Sequence, residues 1–337
     1  MDSLTQIALG ATVSVAVMGR RTAAWKAAAW GALAGTLPDL DAFVNHGDAI
    51  LDMVLHRAET HAPFWSTLAS LPLGLLVARL SGEWPLWKRW WLAMWVALVT
   101  HPLLDAMTVY GTQLGLPFTD APYGVGSIFI IDPAYTLPLL VGVVWAVVAH
   151  GSPRGLRANA IGLGLSTAYL AWSVLAQQHV AQLARQALQQ QGIAAERVLV
   201  TPTAFNTIVW RVLAVSGDHY YEAFHGLRDP AGTAPVFDRF DSGAAWLREL
   251  EGVDGVRRIA AFSRGFYRLQ VEGDVARITD LRMGQDPGYT FSFEVARRAG
   301  PWSAVQGSPN VGERGNVGAM LAWLWRRMQG EVLPPPR

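Results

Sequence analysis

The chain contains no cysteine. Disulfides, thiolate metal sites and cysteine nucleophiles are therefore excluded, and any metal must be held by His, Asp or Glu. Charge is also scarce. Only 16% of residues are Asp, Glu, Lys or Arg, against about 25% in an ordinary soluble domain. With 51% hydrophobic residues, a mean hydropathy of +0.22 and 15 tryptophans, that deficit points to a membrane protein. A net charge of +1 and the lack of any long run of Lys and Arg argue against a nucleic-acid partner. The first 20 residues do not read as a cleavable signal, because Arg20 and Arg21 follow the apolar run instead of preceding it. Also missing are HExxH, a GxSxG elbow and a phosphate-cradling Gly-Lys-Ser/Thr loop.

What is present before residue 180 is a series of apolar segments, at about 4–18, 22–37, 63–80, 90–109, 134–149 and 156–176. A spanning helix needs about 20 residues, so the fourth and sixth qualify easily and the first two are short. Gly and Ala crowd the first, second and sixth, which suits close helix packing in lipid. Trp84, Trp87, Trp90 and Trp91 resemble an interfacial belt. The expected fold is a mainly α, polytopic membrane helix bundle of about six spans. Alternating connections then put Arg20, Arg21, Lys26, Arg79, Lys88, Arg89, Arg154 and Arg157 on one side and Arg57 alone on the other. By the positive-inside rule the basic side is cytoplasmic. The opposite, extracytoplasmic side collects Asp39, Asp41, Asp105, Asp132, His56, His61 and His101.

The expected domains are a bundle over 1–178, a linker helix over 179–196, an extracytoplasmic domain over 197–330 and a disordered tail over 331–337. The runs TIVWRVLAV, HYYEAFHGL, GFYRLQVEG and VARITDL alternate and are punctuated by Gly, Asp and Pro, so they predict strands of a small, mostly β soluble domain. A final helix is expected at about 317–328.

Three clusters carry chemistry. Asp39 and Asp41 follow Pro38 in PDLD, and two hard carboxylates at this spacing can bind one metal or bridge two. Taken alone, they read rather as a helix end followed by a polar turn. His56 and His61 in HRAETH are five apart, off a common helical face, so a turn is expected between them. Arg57 could pair with Glu59 or Asp41, or meet an anionic substrate. His101 and Asp105 in THPLLD are four apart and share a helical face, with Pro102 kinking the helix between them. Ionisable groups beside a run as apolar as WWLAMWVALV are costly and point to function. Three carboxylates and three histidines suffice for two metal ions. Asp132 in SIFIIDPAY and Gln6 are weaker candidates beside them.

These residues sit in pieces that resemble the YdjM-type family of membrane-bound metal-dependent hydrolases: MDSLTQIALGA, GALAGTLPDLD, HRAETH, THPLLDAMTVYGTQLGLPF and SIFIIDPAYTLPLL. They cover roughly residues 1 to 145, and TPTAFNTIVWRV from Thr201 is similar to a longer-tailed subgroup. The resemblance implies a multi-helix membrane fold distantly similar to zinc-dependent phospholipase C and P1 nuclease. It also implies one or two divalent metal ions, zinc first, with Asp39, Asp41, His56, His61, His101 and Asp105 as ligands. Ala58 and Ala62 stand where the family pattern HRGxTHS has Gly and Ser, and Gln6 where many relatives have His.

The expected function is a hydrolase of the bacterial cytoplasmic (inner) membrane that cleaves a phosphoester of a lipid or lipid-linked substrate. Arg57 would hold a phosphate oxygen, and Glu59 or Asp132 would shuttle protons. The alternatives are an ion- or proton-coupled transporter, and a membrane scaffold whose β domain binds a partner.

Overall fold

The computed structural model describes residues 1–298, 300–313 and 315–337. Its chain divides into two compact units: Met1–Val44 with His56–Val174 and Ala204–Asn206, and Asn45–Leu55 with Leu175–Thr203 and Thr207–Arg337.

The first unit is helical. It contains α1 (Ser3–Met18) and α2 (Ala24–Thr36); the next helix, α3 (Ala49–Leu55), belongs to the second unit. It continues with α4 (Pro63–Leu80), α5 (Trp87–Asp105), α6 (Pro133–Val148) and the first part of α7 (Pro153–Gln190). Helix α1 packs against α2, α5 and α6, and α4 packs along α5. Glycines permit the tightest crossings. A Cβ on Gly10 would strike the Gly31 carbonyl oxygen and come within 3.0 Å of Gly35 Cα. Gly74 likewise faces the Trp91 backbone, and Gly142 lies against Asn159. Close backbone approach of this kind replaces hydrophobic expulsion as the packing force between helices in lipid.

The helices alternate in direction, so one end of the unit gathers Asp39, His61, Asp105 and Asp132 and the other gathers Arg20, Lys26, Arg79, Lys88 and Arg154. At the basic end Glu83 accepts bonds from Thr22 (2.7 Å), Lys26 (3.3 Å) and Trp90 (3.1 Å). Large apolar side chains stay exposed along the flanks, among them Leu68, Leu71, Val141, Trp145, Ile161, Leu165 and Trp172.

The expected six spans are not reached. Among the described residues two helices, α4 with 18 residues and α7 with 38, are long and apolar enough to cross a membrane. The physical reason is length and composition. At 16 and 13 residues, α1 and α2 extend only about 24 and 20 Å, short of a hydrocarbon core of about 30 Å. Helix α6 is apolar but has 16 residues. Helix α5 has 19 residues, but Lys88, Arg89, His101, Asp105 and its tryptophans dilute its apolarity. It runs through Pro102 to Asp105 without ending. The expected linker helix is the uninterrupted continuation of α7, and 45–55 leaves the bundle for the second unit.

The second unit is β-rich, as expected. One antiparallel sheet runs β1 (Arg197–Pro202), β2 (Val209–Ser216), β3 (His219–Gly226), β4 (Asp238–Asp241). Two short helices, α8 (Leu247–Leu250) and α9 (Asp254–Phe262), follow. The strands β5 (Tyr267–Glu272), β6 (Val275–Asp280), β7 (Gly284–Gln285), β8 (Gly288–Tyr289), β9 (Ser292–Arg298) and β10 (Trp302–Ala304) come next. They form a second sheet of order β10-β9-β6-β5 and a small β7-β8 ribbon. Both main hairpins turn on Gly-Asp, with Gly217 and Gly273 at positive φ, as two-residue turns require. Helix α10 (Val317–Met328) closes the order where the sequence predicts it. The 331–337 stretch, expected to be a disordered tail, is tied down: Trp323 donates to the Leu333 carbonyl and Arg337 to Glu222.

If the α1–α2 crossing depends on absent side chains, Gly31→Ala should lower the thermal midpoint in detergent, at a cost of about 1–3 kcal/mol for overpacking. Gly164→Ala, where a Cβ meets nothing within 4 Å, should leave it unchanged or raise it.

Candidate metal centre

The site is assembled at the end of the helical unit where α2, the 56–61 turn and α5 meet. Pro38 starts a short tight turn, Pro38–Phe43, that carries Asp39 and Asp41 off the end of α2. A second tight turn, Glu59–His61, carries His61 into α4. His101 and Asp105 project from the last turns of α5, and both are fully buried, as is His61.

Asp39, His61, His101 and Asp105 form one group whose ligand atoms lie within 4.8 Å of one another. The Nε2 atoms of His61 and His101 are 3.1 Å apart. Asp39 Oδ1 is 3.4 Å from each of them, and Asp105 Oδ2 is 3.3 Å from His61 Nε2 and 3.5 Å from His101 Nε2. A tetrahedral ion with bonds of ~2.0–2.2 Å separates its ligand atoms by roughly 3.3–3.6 Å. The four carboxylate–imidazole separations, 3.3–3.5 Å, fall in that range, and the two imidazole nitrogens are slightly closer at 3.1 Å. Asp105 Oδ2 is buried and without a hydrogen bond, which an ion would supply. The donor set of two imidazoles and two carboxylates suits zinc and other divalent first-row metals.

Partners outside the group fix each ring. His101 Nδ1 lies 2.7 Å from the Gly35 carbonyl oxygen, a pure acceptor, so Nδ1 carries the proton and Nε2 faces the centre. His61 Nδ1 lies 3.3 Å from Asp41 Oδ2 and 2.9 Å from Thr60 Oγ1. Such partners orient a metal-binding imidazole and raise its basicity. Burial alone would push the His61 pKa down, but hydrogen bonds to Asp105, Asp39 and Asp41 raise it to about 9. Burial opposes ionisation of Asp39 and Asp41 as well. Hydrogen bonds to His101 and His61 hold Asp39 well below the usual carboxylate range, and bonds to His56, His61 and Thr60 do the same for Asp41.

Of the six residues expected to ligate metal, the structure brings four together. Asp41 stands behind His61, and His56 pairs with Asp41 at 2.8 Å; neither belongs to the four-residue group. Arg57 pairs with neither Glu59 nor, through its side chain, Asp41. Its guanidinium lies 3.2 Å from Asp105 Oδ2, donates to Thr108 and covers the Tyr110 ring. Arg57 is buried at positive φ, and its N–H donates to Asp41. Glu59 is exposed. Asp132 caps α6 and accepts the Tyr169 hydroxyl at 2.8 Å. Gln6 donates to Asp105 Oδ1 (3.1 Å) and to the His101 carbonyl, and the Met1 amino group also bonds Oδ1. Gly35, Thr60 and Thr108 went unnoticed in the sequence. A backbone carbonyl leaves no side-chain signal, and the two threonines belong to no ligand pattern.

Residues 1–180 match the family model described as YdjM inner membrane protein. The chain belongs to that family. All four residues of the group lie inside the matched region of this YdjM family member. It is also 26% identical over 242 residues to "Uncharacterized protein YfhP" of Bacillus subtilis (strain 168), a match covering 70% of this chain and 69% of that protein. No solved structure matches.

His61→Ala and His101→Ala should each abolish stoichiometric metal in the purified protein, read by elemental analysis. Asp41→Asn should keep the metal but weaken its affinity by about 10–100-fold. A metal ligand must be a neutral imidazole. With its pKa raised to about 9, metal-free His61 holds a proton at pH 7.5. That proton contributes to apo stability below its unfolded value of 6.5 and the contribution is lost as pH rises through about 9. Metal uptake at pH 7.5 should therefore release close to one proton, measured by calorimetry in buffers of different ionisation enthalpy.

Proposed function

We propose that this protein is a metal-dependent hydrolase of the inner membrane, acting on a phosphoester of a lipid or lipid-linked substrate. The observation that carries the reading is the convergence of four ligand atoms from Asp39, His61, His101 and Asp105 with near-tetrahedral spacing. A divalent ion there, zinc as first choice, supplies Lewis acidity and lowers the pKa of water.

The chain's own residues supply position and charge. Asp41, Thr60 and the Gly35 carbonyl hold the two rings. Arg57 offsets the buried Asp105 carboxylate, so in the loaded site Asp39 and Asp105 would stand against a divalent ion and a guanidinium, with Asp41 held between His56 and His61, a balance that tolerates an anionic substrate. Glu59, exposed two residues before His61, would exchange protons with solvent in this scheme. Asp132 acts as a helix cap in this scheme.

A lipid is favoured over a water-soluble ester by the rim. Asp39 is the one partly open member, with 22% of its side chain accessible. Leu40 and Phe43 share its turn at 53% and 86% exposure, and Phe64 packs on Phe118, itself 82% exposed. Exposed apolar groups beside a polar centre suit an amphiphile whose headgroup enters and whose chains stay outside. We further propose that this end faces away from the cytoplasm, since the basic residues gather at the other.

Purified protein in lipid nanodiscs should release phosphate or a phosphorylated headgroup from a lipid phosphoester, with turnover lost in His61→Ala, His101→Ala. Phe43→Ser, Phe118→Ser should depress turnover of the lipid by about tenfold or more, on the order of two buried aromatic contacts, while sparing a soluble aryl phosphate. Metal-dependent ion flux without hydrolysis would favour transport. Metal binding with neither activity would favour a scaffold.

A further inference from the structure

The second unit contains a built pocket that the metal centre does not use. Glu222 on β3, Asp238 on β4 and Asp286 between β7 and β8 converge there, with the Phe240 ring as one wall. Arg337 fills it. One guanidinium nitrogen lies 2.9 Å from Glu222 Oε1 and 3.2 Å from the Asp286 carbonyl oxygen, the other lies 2.5 Å from Asp238 Oδ2, and the guanidinium carbon sits 4.7 Å from the Phe240 ring centroid.

The lining groups have partners of their own besides Arg337. Fully buried Glu222 is already bonded to Arg211 at 2.6 Å. Asp286 accepts from Arg268 at 3.0 Å and from the Tyr220 hydroxyl at 2.9 Å. Phe240 is stacked on Tyr220, 5.0 Å between centroids. Three carboxylates thus face two resident guanidinium groups, so one anionic charge is left for an incoming cation. A planar guanidinium can bridge two carboxylates and stack on a ring at once, which an ammonium cannot.

A separate observation concerns the backbone that carries Arg337. The buried Trp323 indole N–H donates to the Leu333 carbonyl at 3.2 Å, and Arg327 donates to the Glu331 carbonyl at 2.7 Å. Pro334, Pro335 and Pro336 follow, each with φ fixed by its ring. An extended proline-rich strand has unpaired carbonyls for such donors and loses little entropy on docking.

We propose that the Glu222–Asp238–Phe240–Asp286 pocket is a binding site for an arginine carried on an extended, proline-rich segment, and that the chain's own Leu333–Arg337 stretch is its displaceable occupant. The cis segment competes at an effective concentration of about a millimolar, the usual scale for a short tether. An external segment of the same chemistry binds once the cis arginine is withdrawn.

The test uses the full chain in detergent and a fluorescein-labelled VLPPPR peptide amide, read by anisotropy. Arg337→Ala should bind the peptide at least about tenfold more tightly than the wild type, as removal of a cis competitor predicts. Adding Asp238→Asn, at a position 53% exposed, should remove the gain, and a VLPPPK peptide should bind more weakly than VLPPPR. Equal affinity for wild type and Arg337→Ala, or no binding to an Arg337→Ala protein with an unchanged unfolding midpoint, overturns the proposal. Because the chain lacks cysteine, a nitroxide on Pro335→Cys gives a second measurement without disturbing Arg337. Its spectrum should be immobilised and should sharpen when excess peptide is added; a spectrum mobile from the start, or unmoved by peptide, also overturns it.

Discussion

The near-contact of α1 and α2 at Gly10, Gly31 and Gly35 is the constraint on which the helical unit depends. Side chains larger than hydrogen would hold these backbones apart. Because they meet, the Gly35 carbonyl reaches His101 on α5, and Gln6 on α1 reaches Asp105 on the same helix. One ring and one carboxylate of the centre are thus aimed by a crossing whose residues have no chemistry of their own. This is packing that serves a site, and small residues achieve it where expulsion of water cannot.

Buried charge is handled differently in the two units. In the β-rich unit, Arg211 pairs with Glu222, Arg282 with Asp280 and Arg327 with Asp229, each pair almost wholly buried and bonded at 2.6–2.8 Å. Such pairs offset their own desolvation only when the geometry is good, and here it is. In the helical unit Asp105 meets Arg57 at 3.2 Å without a formed hydrogen bond, and its Oδ2 stays unsatisfied. A carboxylate kept dry and under-bonded beside two imidazoles is expensive for a purely structural role. That contrast within one chain favours a ligand role for Asp105 over a mere ion pair.

How much could be read beforehand depended on whether a feature has a local period. The i, i+4 spacing of His101 and Asp105 placed both on one face of α5, and the five-residue gap from His56 to His61 required the turn that is found. The alternating runs foreshadow β2, β3, β5 and β6, and the stretch 317–328, rich in Trp, Leu and Arg, foreshadows α10. Hidden features were those set by tertiary approach. Asp41 and Asp39 are indistinguishable in PDLD, yet only Asp39 faces the centre, because residues two apart in a turn with three residues per revolution point to different sides. Arg57 reached Asp105, far along the chain, instead of a neighbour. Span number has a plainer physical reason: the apolar runs already short of the ~20 residues a span needs fold as helices of 16, 13 and 16 residues.

Three of the four residues of the group are sealed and only Asp39 touches solvent. An ion held there would meet solvent on the Asp39 side alone, with the two rings and Asp105 closed off behind it. Holding and exchange would then be separate properties: four ligand atoms would set how tightly the ion sits, and one half-open carboxylate how quickly it is replaced.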